Sequence, residues 1–539
     1  MTCQHSHSNL ALLKANEKPM RRLTFGQCIV AAMGLGAICA LGLAPYNQWW
    51  LLFGAVPVAV YGLQGLLQSG MPRVFLVGWS FGFGYFIAAL HWIGYAFFVN
   101  GLNDLWMMPF ALGGLSAFLA LYWGAATVCA AWLARRGHPL WLCGPLTFAA
   151  AEWLRGHLFT GFPWAVFGQM ADGMWGVEQA AAFVGMTGIT FLVWAWAASI
   201  YGICVERGAR RWCCAILLLT FPATLLLGQW RLATHPTVYV PNIMLRLVQP
   251  NIGQNEKWRE GNARKIFDQL LSLTAAPPST GTPVTHVIWP ESSIPFLIDE
   301  SDKGRAELAQ ALKPGQTLLA GAVRRSAQRD DADYFTSILV FDSGANVLNH
   351  YDKWRLVPGG EFLPLAWLLQ PLGLRRLVNL PESFSPGLGP TNLPVPGAGN
   401  AGFSICYEAI FPEAVASATP PPDWLINVTN DGWFGNSVGP WQHLAQMRLR
   451  AIETSAPAAR VANTGISAVI DPYGREVFTS QLGTVGAFDV LLPQRGENLI
   501  KGLWPDAPLF CLLFFAIVLG EIVKRRYIPH ANQTSRRFD

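Results

Sequence analysis

Long apolar runs fill most of the first ~230 residues, and they restrict the fold more than any other feature of the sequence. A helix that crosses a bilayer needs about 20 consecutive, mostly apolar residues. We predict membrane spans near residues 24–43, 48–68, 74–98, 107–133, 139–155, 177–204, 212–229 and 505–523. With 52% hydrophobic and 13% charged residues over 539 positions, the chain is expected to be a multi-span α-helical membrane protein.

Basic residues lie at alternate ends of these spans and therefore predict an orientation. Cytoplasmic loops of membrane proteins are enriched in Lys and Arg. The loops near 44–47 and 99–106 contain neither, whereas the other ends contain Lys14, Lys18, Arg21, Arg22, Arg73, Arg135, Arg136, Arg207, Arg210, Arg211, Lys524, Arg525 and Arg526. Both termini are expected in the cytoplasm. The N-terminal segment runs into a helix of spanning length without a clear cleavage site, so no removable signal peptide is predicted.

Seven spans would place the next segment outside the cytoplasm. We predict a cytoplasmic segment at 1–23, a seven-span domain at 24–230, an extracytoplasmic domain at 231–500, and a last span with a basic cytoplasmic tail at 501–539. Between 243 and 490 short apolar strands alternate with helices, which is typical of an α/β domain with helices covering its sheet. The membrane-flanking residues account for the net charge of +5, so no nucleic-acid partner is expected.

The stretch "AGFSICYEAIFPE" (401–413) places Cys406 between a short apolar strand and the start of a helix. Of the ten cysteines, Cys406 is the one within the predicted outer domain. Oxidising compartments favour disulfides, so a thiol kept there without a partner favours a chemical role. The alternative is an ordinary small buried residue.

A cysteine nucleophile needs a base and nearby positive charge. The segment "IWPESSIP" places Glu291 directly after an apolar strand, and "YDKWRLVPGGEFLP" supplies Lys353 and Glu361. Taken alone, each of these side chains is most often a solvated surface residue.

Histidine and metal chemistry have little support in the sequence. No motif pairs a histidine with Cys406, because His286, His350 and His443 lie in ordinary contexts. Cys and His residues never cluster at the spacing of metal ligands, so no metal or cofactor is predicted.

The glutamate, lysine and cysteine in "WPES", "YDK…LVPGGE" and "SICYE" resemble, in this order, the nitrilase (carbon–nitrogen hydrolase) superfamily. The apolar N-terminal half resembles one branch of it, the bacterial apolipoprotein N-acyltransferases. Further matching segments are "AEWLRGHLFTGFPW" (151–164), "QPNIGQNEKW" (249–258), "NVTNDGWFG" (427–435) and "RAIETSAPAARVANTGIS" (450–467). The resemblance covers nearly the whole chain and implies a nitrilase-like αββα sandwich attached to the spans.

The resemblance implies that Glu291 is the general base, Lys353 the oxyanion partner and Cys406 the nucleophile. It also implies that Glu361 orients the lysine, that the Tyr407 backbone N–H contacts the oxyanion, and that Glu408 supports the site. The implied substrate-binding positions are Trp258, Phe362 and Leu363. The chain departs from the family pattern at Thr336, Arg355 and Gly359, where Asn, His and Phe are usual.

The implied reaction moves an acyl chain from a membrane phospholipid, with phosphatidylethanolamine as the expected donor, through a Cys406 thioester to the N-terminal diacylglyceryl-cysteine of an apolipoprotein. A monomer in the inner membrane of a diderm bacterium is expected, with the catalytic domain facing the periplasm. The apolar stretch 361–374 is expected to form an acyl-chain wall or a flap into lipid, or else a buried helix. Glu152 and Arg155 are costly in lipid, and we expect them to pair or to face the outer domain, with a helix–domain contact favoured.

Two other functions remain open at this point. A membrane-tethered amidase or nitrilase would hydrolyse a soluble C–N bond, although a simple anchor needs one span. A transporter with an outer binding domain would need ionisable residues deep in the spans, where His91 is the main candidate.

Overall fold

The computed structural model describes residues 23–99, 101, 104–257, 259, 261–279, 281–326, 334–362, 367, 371, 384–416 and 420–497. The predicted last span at 505–523 lies outside these ranges. In the described part, seven α-helices precede the first strand. They are α1 (Phe25–Ala40), α2 (Leu52–Gly65), α3 (Met71–Leu90), α4 (Met108–Arg135), α5 (Leu140–His157), α6 (Ala181–Val205) and α7 (Ala209–Thr234). Each span predicted before residue 230 therefore corresponds to one helix.

Length and hydropathy separate these helices into two groups. Within the described residues, four segments are long and apolar enough to cross a membrane: Met71–Phe98, Leu105–Arg135, Val177–Val205 and Ala209–Thr234. The helix α1 and the segment Trp49–Gly65 are apolar but shorter. The helix α5 contains the charged residues Glu152 and Arg155. The membrane character of the N-terminal half is thus confirmed, whereas the seven-span count stays a prediction.

The second half of the chain is built from short strands and covering helices. The strands are β1 (Tyr239–Gln249), β2 (His286–Trp289), β3 (Thr317–Arg325), β4 (Tyr334–Phe341), β5 (Val347–Asp352), β6 (Asn392–Val395), β7 (Gly399–Ile405), β8 (Trp424–Thr429), β9 (Ala458–Ala462), β10 (Ala468–Ile470), β11 (Glu476–Thr479) and β12 (Gly486–Pro493). The helices are α8 (Gln254–Lys257), α9 (Asn262–Ala275), α10 (Asp302–Ala311), α11 (Glu413–Ala416) and α12 (Gly439–Thr454).

The described strands form two six-stranded sheets, in the orders β12-β1-β2-β3-β4-β5 and β11-β10-β9-β8-β7-β6. The inner neighbours β1–β2–β3 and β7–β8–β9 are parallel, and the outer pairs are antiparallel. Alternate side chains of a strand point to opposite faces. In β1, Leu245 and Leu247 accordingly pack against residues of the other sheet such as Phe403, while Met244 and Val248 pack with α9.

The second sheet is covered by α12, whose Leu444 and Met447 pack with Leu425 of β8. With α9 and α10 on the first sheet, the layers follow the predicted αββα order.

The helical bundle and the sandwich share one apolar core. Tyr407, Ile410 and Phe411, which directly follow β7, are buried in the same cluster as the residues of α3 to α6. Polar contacts join the two halves as well, since Gln179 Nε2 donates to the Tyr473 carbonyl at 2.8 Å and Arg448 pairs with Asp172 at 2.8 Å. The segment that follows Cys406 therefore packs directly against the bundle.

Candidate active site

The three predicted catalytic residues lie at the ends of strands and are buried. Glu291 follows β2, Lys353 follows β5 and Cys406 follows β7, with exposed fractions of 8%, 1% and 8%. The Lys353 Nζ lies 3.0 Å from the Glu291 Oε1. Burial and Glu291 raise the pKa of the Cys406 thiol, and Lys353 lowers it.

Lys353 is held between two carboxylates. Its Nζ also donates to the Glu361 Oε1 at 2.8 Å, and the Glu361 Oε2 accepts from the Val357 backbone N–H at 2.7 Å. Burial alone would lower the pKa of Lys353, but Glu291 and Glu361 raise it well above its ordinary value. Lys353 is therefore a fixed, fully charged cation at neutral pH.

Cys406 occupies an uncommon backbone conformation. Its φ of 50° is left-handed, and a short 3₁₀ turn, Cys406–Ile410, begins there. A non-glycine residue in this region costs about 1–3 kcal/mol and persists only where its surroundings hold it. Burial and the Glu291 carboxylate raise the pKa of the thiol. A nucleophilic role for this thiol would therefore require a proton acceptor at the moment of attack, since a resting thiolate is disfavoured.

Glu408 ties this turn to the segment that carries Lys353. Its Oε2 accepts from the Ile405 backbone N–H at 2.7 Å and from the Tyr351 hydroxyl at 2.9 Å. Its Oε1 accepts from the backbone N–H groups of Trp354 at 2.7 Å and Arg355 at 3.2 Å. Burial raises the pKa of Glu408 to about 7, although these backbone bonds oppose the rise.

Lys257 is a second buried lysine that the sequence did not single out. It lies in α8, is 4% exposed, and donates to the Glu291 backbone carbonyl at 3.2 Å. Burial lowers the pKa of Lys257 to about 8, while Glu291 and Cys406 act in the opposite direction. The motif "QNEKW" contains it, but nothing in the local pattern distinguishes it from a surface lysine.

His443 has a far more specific environment than the sequence suggested. The expectation of an ordinary context was wrong: His443 is 0% exposed, and its Nε2 lies 3.0 Å from the Cys406 carbonyl oxygen. Its Nδ1 lies 3.0 Å from the Asp431 Oδ1, and Arg460 donates to the Asp431 Oδ2 at 2.6 Å. Burial would raise the pKa of Asp431, but Arg460 and His443 bring it to about 2. The sequence feature that could have indicated this buried network is Arg460, a charged residue in the apolar strand β9 that requires a buried partner.

Family comparisons agree with the resemblance in both halves of the chain. Residues 35–199 match the apolipoprotein N-acyltransferase N-terminal domain, and residues 244–488 match the carbon-nitrogen hydrolase domain. An apolipoprotein N-acyltransferase of Rhodopseudomonas palustris is 39% identical over 510 residues, covering 92% of this chain and 95% of the relative. Its counterpart in Bradyrhizobium diazoefficiens is 41% identical over 524 residues, covering 94% and 96%.

The chain belongs to the apolipoprotein N-acyltransferase family.

Solved structures show a weaker likeness, over part of the chain. A carbon-nitrogen hydrolase from Helicobacter pylori is 14% identical, with a TM-score of 0.36, over 55% of this chain and 99% of that protein.

The three positions expected to depart from the family pattern lie around Lys353. Arg355 donates to the Thr160 carbonyl at 3.0 Å and lies 3.6 Å from Glu413. Gly359 has a φ of 78°, which a phenylalanine would adopt only under strain. Thr336 accepts at its carbonyl from the Lys353 backbone N–H at 2.8 Å, a bond that does not depend on its side chain.

In this N-acyltransferase the loop after α5 reaches from the bundle to the catalytic domain. Arg155 pairs with Glu152 at 2.9 Å and donates to the Trp164 carbonyl at 2.8 Å. The two residues thus pair with each other, one of the two predicted outcomes. The loop they anchor contacts the site directly, because the Tyr407 hydroxyl donates to the Gly161 carbonyl at 3.2 Å.

The predicted substrate-binding residues are mostly outside the described part of the chain. Trp258 and Leu363 lie outside it, as does most of the stretch 361–374. Phe362 is half-buried, and its carbonyl accepts from the Gly359 N–H at 2.7 Å. In the residues that are described, no three His, Cys, Asp or Glu side chains group at metal-binding distances.

Proposed function

We propose that the chain transfers an acyl group from a membrane phospholipid to the α-amine of a lipoprotein's N-terminal diacylglyceryl-cysteine, through a thioester on Cys406. Phosphatidylethanolamine is the proposed donor. The single observation that carries the proposal is the contact of Lys353 with both Glu291 and Glu361 beside the strained Cys406 turn, within a chain of this acyltransferase family.

The first half-reaction forms the thioester. Glu291 takes the thiol proton of Cys406, and the sulfur attacks the ester carbonyl carbon of the donor. Lys353 and the Tyr407 backbone N–H stabilise the negative oxygen of the tetrahedral intermediate. The intermediate then expels the glycerol oxygen of a lysophospholipid, which takes the proton from Glu291.

The second half-reaction transfers the chain. The acceptor amine attacks the thioester carbon, Glu291 takes a proton from the nitrogen, and the Cys406 sulfur leaves and is reprotonated. An ester and an amine are thereby converted to an amide and an alcohol, with no change in oxidation state. Glu361 keeps Lys353 in place, and Glu408 holds the turn Cys406–Ile410, called here the nucleophile turn.

The contact between the two halves supports a lipid substrate. Ile410, which ends the turn that begins at Cys406, and Pro412 line a cavity of about 290 Å³ whose other walls come from α5, α6, the loop between them, Glu413 and Arg450 of α12. A bilayer-embedded donor can reach a site that adjoins the helices in this way. We propose that Trp258, Phe362 and Leu363 contact the acyl chain, and that the catalytic domain faces the periplasm.

The thioester provides the test. With phosphatidylethanolamine in mixed micelles and no acceptor, we expect the intact mass of the full chain to rise by one acyl group, which neutral hydroxylamine removes. Cys406→Ala should abolish the adduct, and Cys406→Ser and Glu291→Gln should block or nearly block it. Cys129→Ala and Cys204→Ala, which alter exposed cysteines, are the matched controls. They should form the Cys406 thioester, a step called loading below, at the normal rate.

Addition of a diacylated lipopeptide should then move the acyl group to the peptide. Release of free fatty acid without a gain in peptide mass would instead indicate a hydrolase. An adduct that persists in Cys406→Ala would contradict the assignment of the nucleophile.

A further inference from the structure

The backbone of Cys406 is held by one histidine. The His443 Nε2 lies 3.0 Å from the Cys406 carbonyl, and because a carbonyl only accepts, this nitrogen carries the hydrogen. The bond acts on the residue whose φ of 50° needs support from its surroundings. A change in the position of His443 therefore changes the position of the nucleophile.

The imidazole of His443 is fixed by a buried polar network. Its Nδ1 lies 3.0 Å from the Asp431 Oδ1 and 3.1 Å from the Arg460 guanidinium, which donates to the Asp431 Oδ2 at 2.6 Å. The Thr429 hydroxyl donates to the Asp431 Oδ1 at 3.0 Å. The network thus fixes the ring whose Nε2 hydrogen bonds to the Cys406 carbonyl.

The residue before His443 is held by the membrane half of the protein. The Gln442 Oε1 accepts from the indole N–H of Trp164 at 2.9 Å and of Trp92 at 3.2 Å. The Gln442 Nε2 donates to the Ala89 carbonyl at 3.3 Å. Gln442 is 6% exposed, so these contacts are not replaced by solvent.

Trp164 contacts both members of this pair. Its indole N–H binds Gln442, and its ring packs on the imidazole of His443 with centroids 5.3 Å apart. Consecutive residues of a helix move together because the backbone between them is rigid. The contacts of α3 and of the loop after α5 are therefore transmitted to the Cys406 carbonyl over one helical residue.

We propose that Gln442 and His443 are positioning residues through which the membrane helices hold Cys406 in its reactive conformation. The inference rests on the proposed role of Cys406 as the acylated nucleophile. Its consequence is that the bundle is part of the catalytic apparatus and not only an anchor.

The test uses the full-length protein in detergent with phosphatidylethanolamine as acyl donor. Three quantities are measured: the rate of thioester formation by intact mass, the rate of Cys406 alkylation by iodoacetamide, and the thermal unfolding midpoint. A misplaced reacting group costs about 100-fold in rate, so we expect loading to slow by about that factor in His443→Ala. His443→Gln should form the thioester about tenfold faster than His443→Ala, because its amide N–H can reach the Cys406 carbonyl.

Trp164→Phe tests the contact that the membrane half of the protein makes with Gln442. It removes the N–H bond to Gln442 but keeps an aromatic ring against His443, and we expect loading to slow by about tenfold, as for loss of a positioning contact. The unfolding midpoint should stay near that of the wild type. The matched controls are Trp230→Phe, on an exposed tryptophan of α7, and His350→Gln, on a histidine whose side chain is 49% exposed; both should load normally.

A double-mutant cycle decides whether the two sites are coupled. If Trp164 acts through His443, the Trp164→Phe/His443→Gln double variant should load no more slowly than the slower single variant. If the double variant instead slows loading by the product of the two single-variant factors, the coupling is overturned. Normal loading and alkylation in both single variants would overturn it as well. If His443→Ala does not fold, His443→Gln and Trp164→Phe carry the test.

The two proposals fail in different ways. A wild-type protein that never acquires an acyl group on Cys406 contradicts the proposed function. A wild-type protein that loads while the Trp164 and His443 variants load equally well contradicts only the positioning inference.

Discussion

The Nζ of Lys353 lies 3.0 Å from the Oε1 of Glu291, so the proposed base and the proposed oxyanion partner form an ion pair before substrate arrives. In the proposed mechanism, attack by Cys406 creates a negative oxygen and transfers a proton to Glu291. As this carboxylate is neutralised, the lysine can direct its charge to the oxyanion. The pair therefore links the proton transfer to stabilisation of the intermediate.

Removal of the Lys353 charge should slow the chemical step. We expect Lys353→Ala to lower the rate of thioester formation about 10²- to 10³-fold, the range for loss of an oxyanion donor. Lys353→Arg should not restore it, because a planar guanidinium places its charge differently from a compact ammonium. Intact-mass kinetics provide the measurement, with Lys313→Ala, on an exposed lysine, as the control. Near-normal rates in either Lys353 variant would remove the lysine from the mechanism.

Glu408 should link the stability of the site to pH. Its pKa is raised from 4.5 to about 7, so the folded state binds a proton more tightly than the unfolded state. Between these values the contribution of Glu408 to stability falls as pH rises. We expect the difference in unfolding midpoint between the wild type and Glu408→Gln to shrink from about pH 4.5 to about pH 7.

Glu408→Gln should also load more slowly, because its amide group presents N–H where the Ile405 N–H or Tyr351 hydroxyl needs an acceptor. Glu256→Gln, on an exposed glutamate, is the control for both measurements. A midpoint difference that does not change with pH would show that Glu408 does not titrate in this window.

Lys257 should set the alkaline limit of thioester formation. Its pKa is about 8, so its ammonium loses a proton as pH rises through that value. The loss removes a positive charge next to Glu291 and Cys406, where negative charge develops, and the rate should fall. Lys257→Met should load about tenfold more slowly below about pH 8 and lack this alkaline limb, because its charge is absent throughout.

Lys257→Arg should move the alkaline limb to higher pH, since a guanidinium stays charged. Lys265→Met, on an exposed lysine of α9, should leave the profile unchanged. A limb near pH 8 that survives in Lys257→Met would belong to another group.

The nucleophile turn was predictable because its determinants are local. The apolar run Ala401–Ile405 forms the end of β7, and Cys406 begins the turn that follows. Glu152 and Arg155 lie three residues apart on α5, a spacing at which helical side chains meet, and they pair.

The support behind Cys406 was not predictable because it joins distant segments. Nothing in the sequence around His443 distinguishes it from the other residues of α12. Its partners Cys406 and Asp431 lie 37 and 12 residues away in sequence. Burial of Lys257 likewise depends on packing that no local pattern of charge and hydropathy records. Only the apolar neighbours of Arg460 in β9 pointed to a buried polar network.

The number of crossings before β1 decides on which side of the membrane the site lies. Seven crossings place the catalytic domain opposite the N-terminus, whereas four would place it on the same side. If only the four long apolar segments crossed, Arg207, Arg210 and Arg211 would lie on the side opposite to Arg73, against the usual distribution of basic residues. Seven crossings place all of them together in the cytoplasm.

Reporter fusions can therefore separate the two topologies. We expect a reporter fused after residue 240 or 480 to be extracytoplasmic and one fused after residue 530 to be cytoplasmic, because the predicted number of crossings before β1 is odd and the predicted span at 505–523 returns the chain. Fusions after residues 101 and 137 serve as controls, since both topologies place the first outside and the second inside. A cytoplasmic signal at 240 and 480 would indicate an even number of crossings before β1, as in the topology with four crossings. The site would then face the inner leaflet. The donor phospholipid and the acceptor lipoprotein would have to be sought on that side, which would contradict the proposed orientation.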